Sequence, residues 1–497
     1  MKDTPMKHAP LRGRTVLVAA MVLALAGCAA APARLGTPAL RDDVPLAGLQ
    51  APVRAGWPTA QWWRQYDDPQ LDGLMDRAMQ QSPDLALAQS RVRNAEQSAK
   101  LAAAQLGLSV NGSAQVTRER LSDHGLIPSQ FLGFSWYNQA DLGVQLQYDF
   151  DWWGKKRATM EAALDQAHAA EAQRSAAALA IQYAVADTYF GWQADQARLQ
   201  LADRLLATQQ QFADIAELRV RQGVDLPDEA QKARAQLAAV REMRVALDGS
   251  AQIRRAALAS LLGVAPTELP ELRARPLPAI ERGVPANGGL DLIARRPDIA
   301  ASRWQVEAAL KQTDAARAEF FPDISLTALA GLSSIDMGKL LTAGSRTFAL
   351  TPALHLPIFN GGALEANYGV SKAQLDAAVA QYDSAVLAAA REVATQALSA
   401  EQVAARRHEQ QAQLDADQRL LANAQARARQ GVRDLRESLG AQAALLQQRD
   451  AAAQLQAQAV STDLALIKAL GGGYRATDAA TSPSSSVTAG AAPHERH

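Results

Sequence analysis

The sequence predicts an α+β membrane protein in which four amphipathic strands close a β-barrel only as part of an oligomer and continue into two long helical hairpins. Three observations predict it: an internal duplication, four segments of polar–apolar alternation, and two proline-free helical stretches over 155–222 and 363–430. The composition agrees. Of 497 residues, 48% are apolar but only 5% aromatic, so alanine and leucine dominate, a mixture suited to close-packed helices. Acidic and basic side chains balance at 51 each, which gives no electrostatic footprint for nucleic acid. A single cysteine excludes an internal disulfide framework, and seven scattered histidines leave little for a zinc site. Beyond the N-terminus no apolar run reaches about 18 residues, so multi-pass helical topology is excluded.

Residues 1–27 read as a signal peptide. Lys2, Lys7, Arg12 and Arg14 precede the apolar stretch Thr15 to Ala26. The stretch stops at Leu25-Ala26-Gly27-Cys28, which resembles the lipobox of bacterial lipoproteins, with cleavage between Gly27 and Cys28 and acylation of the Cys28 thiol, palmitate included. Lipid chains there would anchor the protein to a membrane without spanning it. An uncleaved signal anchor and an ordinary signal peptide are the two other readings.

The duplication organises the rest of the chain. Ser82-Pro83-Asp84-Leu85-Ala86 aligns with Arg296-Pro297-Asp298-Ile299-Ala300 at a separation of 214. Arg221-Gln222-Gly223-Val224 aligns with Arg429-Gln430-Gly431-Val432, and Gly154 with Gly362, at 208. The change of register is expected in a surface loop between residues 110 and 150.

Strands are predicted over 109–119, 138–150, 323–333 and 346–358. In the second, Ala140, Leu142, Val144, Leu146, Tyr148 and Phe150 alternate with polar residues, as a half-buried strand requires. In lipid a sheet must close, and about eight strands is the smallest familiar single-chain barrel, so four cannot close alone. Two soluble hairpins packed on helices is the competing reading; the lipobox and duplication favour a shared barrel. Pro352 removes a ladder donor, and a bend or bulge is expected there.

Hairpins are predicted over 155–262 and 363–470. Val185, Trp192, Leu199, Leu206, Ala213 and Val220 recur every seven residues, a coiled-coil seam repeated by Val393, Ala400, Leu414, Leu421 and Ala428 and interrupted by Arg407. Such helices would each be roughly 100 Å long. Each turns at Arg-Gln-Gly-Val, with glycine where helices commonly end in a left-handed residue.

The pattern resembles the TolC-like outer membrane factor family of Gram-negative efflux ducts, most closely its lipidated NodT type. The resemblance rests on Trp62-Trp63-Arg64-Gln65-Tyr66-Asp67-Asp68-Pro69-Gln70-Leu71, Asp149-Phe150-Asp151-Trp152-Trp153-Gly154, Ala294-Arg295-Arg296-Pro297-Asp298-Ile299, Phe320-Phe321-Pro322-Asp323-Ile324, Leu356-Pro357-Ile358-Phe359-Asn360-Gly361-Gly362 and Leu470-Gly471-Gly472-Gly473-Tyr474, in that order. It implies a homotrimer with a 12-stranded outer-membrane barrel, a periplasmic α-helical barrel and a mixed equatorial region. It also implies a passive outer-membrane channel of a tripartite system, conducting drugs or other small toxic compounds received from an inner-membrane pump through a periplasmic adaptor (membrane fusion) protein. On this reading 28–67 is the lipidated and equatorial segment, 68–270 the first repeat, 271–287 an equatorial linker, 288–473 the second repeat and 474–497 a disordered tail.

The resemblance assigns Arg221, Gly223, Val224, Arg429, Gly431 and Val432 to the periplasmic tip and adaptor docking, and Gly154, Pro357, Gly361 and Gly362 to strand–helix junctions. Family members can place a gating aspartate nine residues after the second turn glycine; here that position is Gly440, so Asp434 or Glu437 takes its place, or the constriction is hydrophobic. Loops 118–139 and 334–345 would face the exterior, with Phe131, Phe134, Trp136 and Tyr137 narrowing the mouth or forming an interfacial girdle. No catalytic constellation, metal cluster or cofactor motif is expected. The alternative function is a periplasmic coiled-coil adaptor, which has one hairpin rather than two.

Overall fold

The computed structural model of the chain describes residues 31–43, 53–54, 56–122, 124, 129–280, 284–285 and 288–475. The expected signal peptide, Cys28 and the tail from 476 onward lie outside the described residues. Helices α1 (Pro69–Gln81) and α2 (Pro83–Ala104) lead into strands β1 (Ser109–Arg120) and β2 (Trp136–Phe150), then α3 (Lys155–Arg221) and α4 (Pro227–Leu262). The second repeat has α5 (Gly288–Arg295), α6 (Pro297–Ala318), β3 (Asp323–Ser334), β4 (Arg346–His355), α7 (Ala363–Arg429) and α8 (Leu435–Ala469). Equivalent elements keep the 214 separation as far as the ends of β1 and β3 and 208 from the long helices onward; the difference arises between those strand ends and the long helices that follow.

The chain divides into two compact units. One comprises residues 1–39, 93–168 and 304–380. It holds an antiparallel sheet in the order β1-β2-β3-β4, so that β2 and β3 join the two repeats at its centre. The ladder runs unbroken through Pro352, which sits opposite Leu326; the expected bulge is absent, because the register with β3 continues past it with no extra residue on either strand. β4 stops at His355, where β3 begins at Asp323, so Leu356, Pro357 and Ile358 are not in the strand. Below the sheet the helices meet through small residues, among them the buried Ala162, Ala308 and Ala316. Lys311 reaches Glu161 at 2.7 Å, and the buried Thr313 hydroxyl donates to the Ser371 carbonyl at 3.3 Å.

The described residues of the second unit, which spans 40–92, 169–303 and 381–497, are mainly helical around one aromatic core. Trp62, Trp63 and Tyr66 form a short 3-10 turn and pack with Leu71, Met75, Tyr189, Phe190, Leu258, Leu464 and Ile467. Asp68 caps α1 by accepting from the Gln70 amide at 3.0 Å, with Pro69 pre-set for the first turn. Its carboxylate also accepts from Tyr189 at 2.7 Å and Arg275 at 2.9 Å, while burial, seconded by that carboxylate, pushes the Tyr189 phenol pKa up. Gln70 and Gln193 grip the backbone of Arg273 and Arg275 in the inter-repeat segment with bonds of 2.7–3.1 Å. Arg296, from the second repeat's Arg-Arg-Pro-Asp, is buried and donates to Asp298, Glu392 and the Ala469 carbonyl. Gly471 and Gly473 close the domain, because a Cβ on either would collide with the backbone of Arg295 or of Thr59.

Within the seam, Val185, Trp192, Ala213 and Val393 are buried, and the other seam positions half-buried. Gly191 has a packing reason. A Cβ there would strike the Arg254 guanidinium, which donates to Asp195 at 2.9 Å, a carboxylate only 7% exposed that also accepts from Ser250 at 2.8 Å. Gly191→Val should therefore displace Arg254 and cost about 1–3 kcal/mol. The check is the heat-unfolding midpoint in detergent, and wild-type melting would mean that Arg254 has another seat.

Candidate functional site

The sheet register sorts residues onto two faces. On one, Val110, Gly112, Ala114 and Val116 lie beside Leu146, Val144, Leu142 and Ala140, which pair in turn with Ala328, Ala330, Leu332 and Ser334. Leu354, Pro352, Leu350 and Phe348 extend the same face beyond Ile324, Leu326, Ala328 and Ala330. Between its outer rim and the helices this face carries no charge. The opposite face holds Asn111, Ser113, Gln115, Gln139, Asp141, Gln145, Gln147, Ser325, Thr327, Ser333 and Thr351. Asp141 is held there by Ser333 at 2.6 Å and Gln139 at 3.1 Å.

The apolar face is uncovered: Val110 is 58% exposed, Phe348 76% and Leu350 70%. Soluble hairpins packed on helices would have buried these side chains, so the competing reading fails. Among the described residues no helix is long and apolar enough to cross a membrane, and the strands are of bilayer-crossing length. Trp136 stands on the apolar face, as a girdle residue would, whereas Tyr137 lies on the polar face and donates to Glu119 at 2.7 Å.

At the helix-side end, Asp151 accepts from the Lys156 and Arg157 amides at 3.0 and 2.8 Å and so caps α3. Gly154, Gly361 and Gly362 take left-handed conformations at the junctions, and Trp153 stacks on Phe321 at 4.6 Å. Pro357 lies in the irregular segment before them.

The two helical turns have one geometry. Gly223 donates to Val220 at 3.0 Å and Val224 to Arg219 at 2.9 Å; Gly431 donates to Ala428 at 3.1 Å and Val432 to Arg427 at 3.0 Å. Both are Schellman ends with glycine φ of +71° and +72°. The structure joins the turns through Arg219 and Asp225, to which the sequence assigns no role, together with Asp434 and Arg436. Arg219 grips Asp225 with two bonds, at 2.8 and 3.0 Å, and approaches Asp434 at 3.6 Å. Arg436 bonds Asp225 at 2.8 Å and Asp434 at 2.9 Å. Two guanidinium groups and two carboxylates thus interlock. Asp434 also caps α8 through the Arg436 amide, and Glu437 is held by Arg427 and Arg433. Recurrence of Arg219 as Arg427 at the repeat separation of 208 was the available signal. Arg221 approaches Glu217 at 3.8 Å, and Arg429 bonds the Gln425 carbonyl. Gly440 is exposed, with open space where a Cβ would stand.

A family model described as outer membrane efflux protein matches residues 74–264 and 290–472. The chain belongs to this family. This efflux protein is 33% identical over 444 residues to the multidrug resistance outer membrane protein MdtP of Escherichia coli strain K12, covering 88% of this chain and 90% of that one. It is 32% identical over 474 residues to MdtQ of Escherichia coli O157:H7, covering 92% and 97%. Among solved structures, the outer membrane protein VceC of Vibrio cholerae aligns with a TM-score of 0.77 at 32% identity, over 84% of this chain and all of that one. The outer-membrane channel OprN aligns at 0.80 and 26%, over 89% and 98%. The efflux protein therefore has the outer-membrane channel fold, mostly helical with one antiparallel membrane sheet.

The face assignment and the turn geometry can each be measured. Val144→Arg, on the apolar face, should cost about 2–4 kcal/mol of membrane insertion, whereas the neighbouring Gln145→Arg should insert normally; equal recovery of both in outer-membrane fractions would refute the face assignment. At the turns, the Arg219 bonds hold the Asp225 pKa below the usual carboxylate range, and the Arg436 amide does the same for Asp434. Lowered folded values stabilise the turns above the ordinary carboxylate pKa, and that contribution is lost as pH falls through the lowered values. Amide exchange at the turns should stay protected at pH 5 and rise only below about pH 4; Asp225→Asn should show the rise already at pH 7.

Proposed function

We propose that three copies of the chain close their sheets into one 12-stranded outer-membrane barrel and align their hairpins into a periplasmic helical tunnel. It would serve as the passive exit duct of a tripartite efflux system. One observation carries the reading: an uncovered apolar face runs in register across four strands whose two edges, β1 and β4, are unpaired within the chain. In hydrocarbon those edge amides need partners, and like copies joined β4 to β1 supply them while preserving antiparallel order. The polar face then lines the lumen. MdtP and MdtQ are named for multidrug resistance, and drugs or similar small toxic compounds are the cargo we infer here.

The turns would form the periplasmic tip. Val224, Leu226, Val432 and Leu435 are 54–72% exposed there and offer an apolar surface for a periplasmic adaptor, behind which an inner-membrane pump supplies the energy. With Asp434 and Glu437 already paired to arginines, closure would rest on the Arg219–Asp225–Arg436–Asp434 interlock rather than on a free acidic ring. Lipidation at Cys28 is supported by the adjoining segment: Arg317 donates to Pro32 at 2.7 Å, Arg34 pairs with Asp314 at 2.9 Å, and Tyr368 donates to Ala33 at 3.3 Å. That segment, which follows the expected attachment point, is thus held against α6 and α7 beneath the sheet.

Outer-membrane fractions should contain a heat-modifiable trimer with single-channel conductance, and a conducting monomer would overturn the reading. Gly223→Trp and Gly431→Trp should each lower drug export at least tenfold without loss of trimer, the first turn testing docking independently of the second. Gly440→Asp fits the open space and should lower conductance and raise cation preference; an unchanged channel would place Gly440 away from the aperture.

A further inference from the structure

Charge on the sheet is segregated by face and by end. At the end away from the helices, the last positions of the apolar face are Arg118 and Arg120 on β1 and Arg346 on β4, opposite Asn138, Trp136 and Leu332. All three arginines are exposed. Arg118 lies 5.4 Å from the centroid of the Trp136 ring, and none of the three forms an ion pair with a described residue. Glu119, between two of them in sequence, points to the other face and binds Tyr137. The helix-side end differs: there Lys156 is neutralised by Asp149 at 2.7 Å and Lys155 by Glu319 at 3.1 Å.

Arg118 and Arg120 stand on one edge strand and Arg346 on the other. Resting on the barrel reading above, closure of β4 against the β1 of the next copy brings three unpaired guanidinium groups together on the lipid side of every subunit seam. Like charges gathered at a low-dielectric surface repel unless an anion lies between them. A planar guanidinium fork matches a phosphate monoester bidentately. The groups face the membrane at its outer rim, where a lipid with two or more chains can cover Val116, Phe348 and Leu350 while its headgroup meets the arginines.

We propose that each seam binds a phosphate-bearing lipid of the outer leaflet through Arg118, Arg120 and Arg346, and that this lipid bridges neighbouring subunits. The test uses the full-length protein purified as its oligomer, with diphosphoryl lipid A, its dephosphorylated form and inorganic phosphate as probes. Native mass spectrometry should show lipid A retained in preference to the dephosphorylated form by about tenfold, and lipid A should raise the temperature of trimer dissociation. Arg346→Gln and Arg118→Gln/Arg120→Gln should each abolish the preference and the rise while leaving single-channel conductance intact. The proposal is overturned by equal retention of both lipids, by variants that respond as wild type does, or by an equal rise with inorganic phosphate. A wild-type protein that conducts but ignores lipid A sinks this inference alone; one that forms no conducting oligomer removes the barrel as well.

Discussion

A backbone amide in hydrocarbon has no water to bind, and the arrangement of this protein depends on that constraint. The four strands satisfy one another across β1-β2-β3-β4 and leave two outer rows of amides unpaired. Helices cannot cover those rows, because the face beside them is apolar and must contact lipid. Only further strands of the same kind meet both needs, so membrane residence and self-association become one requirement. The duplication fits that requirement: each repeat supplies one strand pair and one hairpin, and within the sheet β2 against β3 is where the repeats meet.

Most of this was legible in the sequence because strands and long helices have short periods. Alternation at Ala140 to Phe150 needs no knowledge of partners, and a seven-residue recurrence from Val185 to Val220 declares a helix whatever it packs against. Register was not legible. Nothing in Val110 or Leu146 alone says that they face each other, and the uniformity of the apolar face emerges only once the pairs are known. Pro352 is a disturbance on sequence for the same reason: its cost depends on which neighbour its missing amide would have faced, which is a property of the pairing.

The turns illustrate a different limit. Glycine at Gly223 and Gly431 announces a helix end through local conformation, and these were readable. The Arg219–Asp225–Arg436–Asp434 interlock was not, since Asp225 and Arg436 lie 211 residues apart and charged residues near a turn are ordinarily solvated. Asp434, which on sequence offers a free carboxylate, is engaged instead. The same holds for Asp68, whose capping role follows from Pro69 but whose bonds to Tyr189 and Arg275 required the fold.

The two long helices, α3 and α7, each contain 67 residues. Every residue added to a helix advances its end by about 1.5 Å and rotates it by about 100°. One insertion in α3 alone would swing Arg219 away from Asp434 and lift its turn out of level with the other. The helices therefore act as matched rulers, and their lengths can drift only together. A duplicated gene ordinarily frees its halves to diverge; here the copies are free in side chains and bound in length, except between the ends of β1 and β3 and the long helices that follow, where six residues of difference have accumulated without consequence for either ruler.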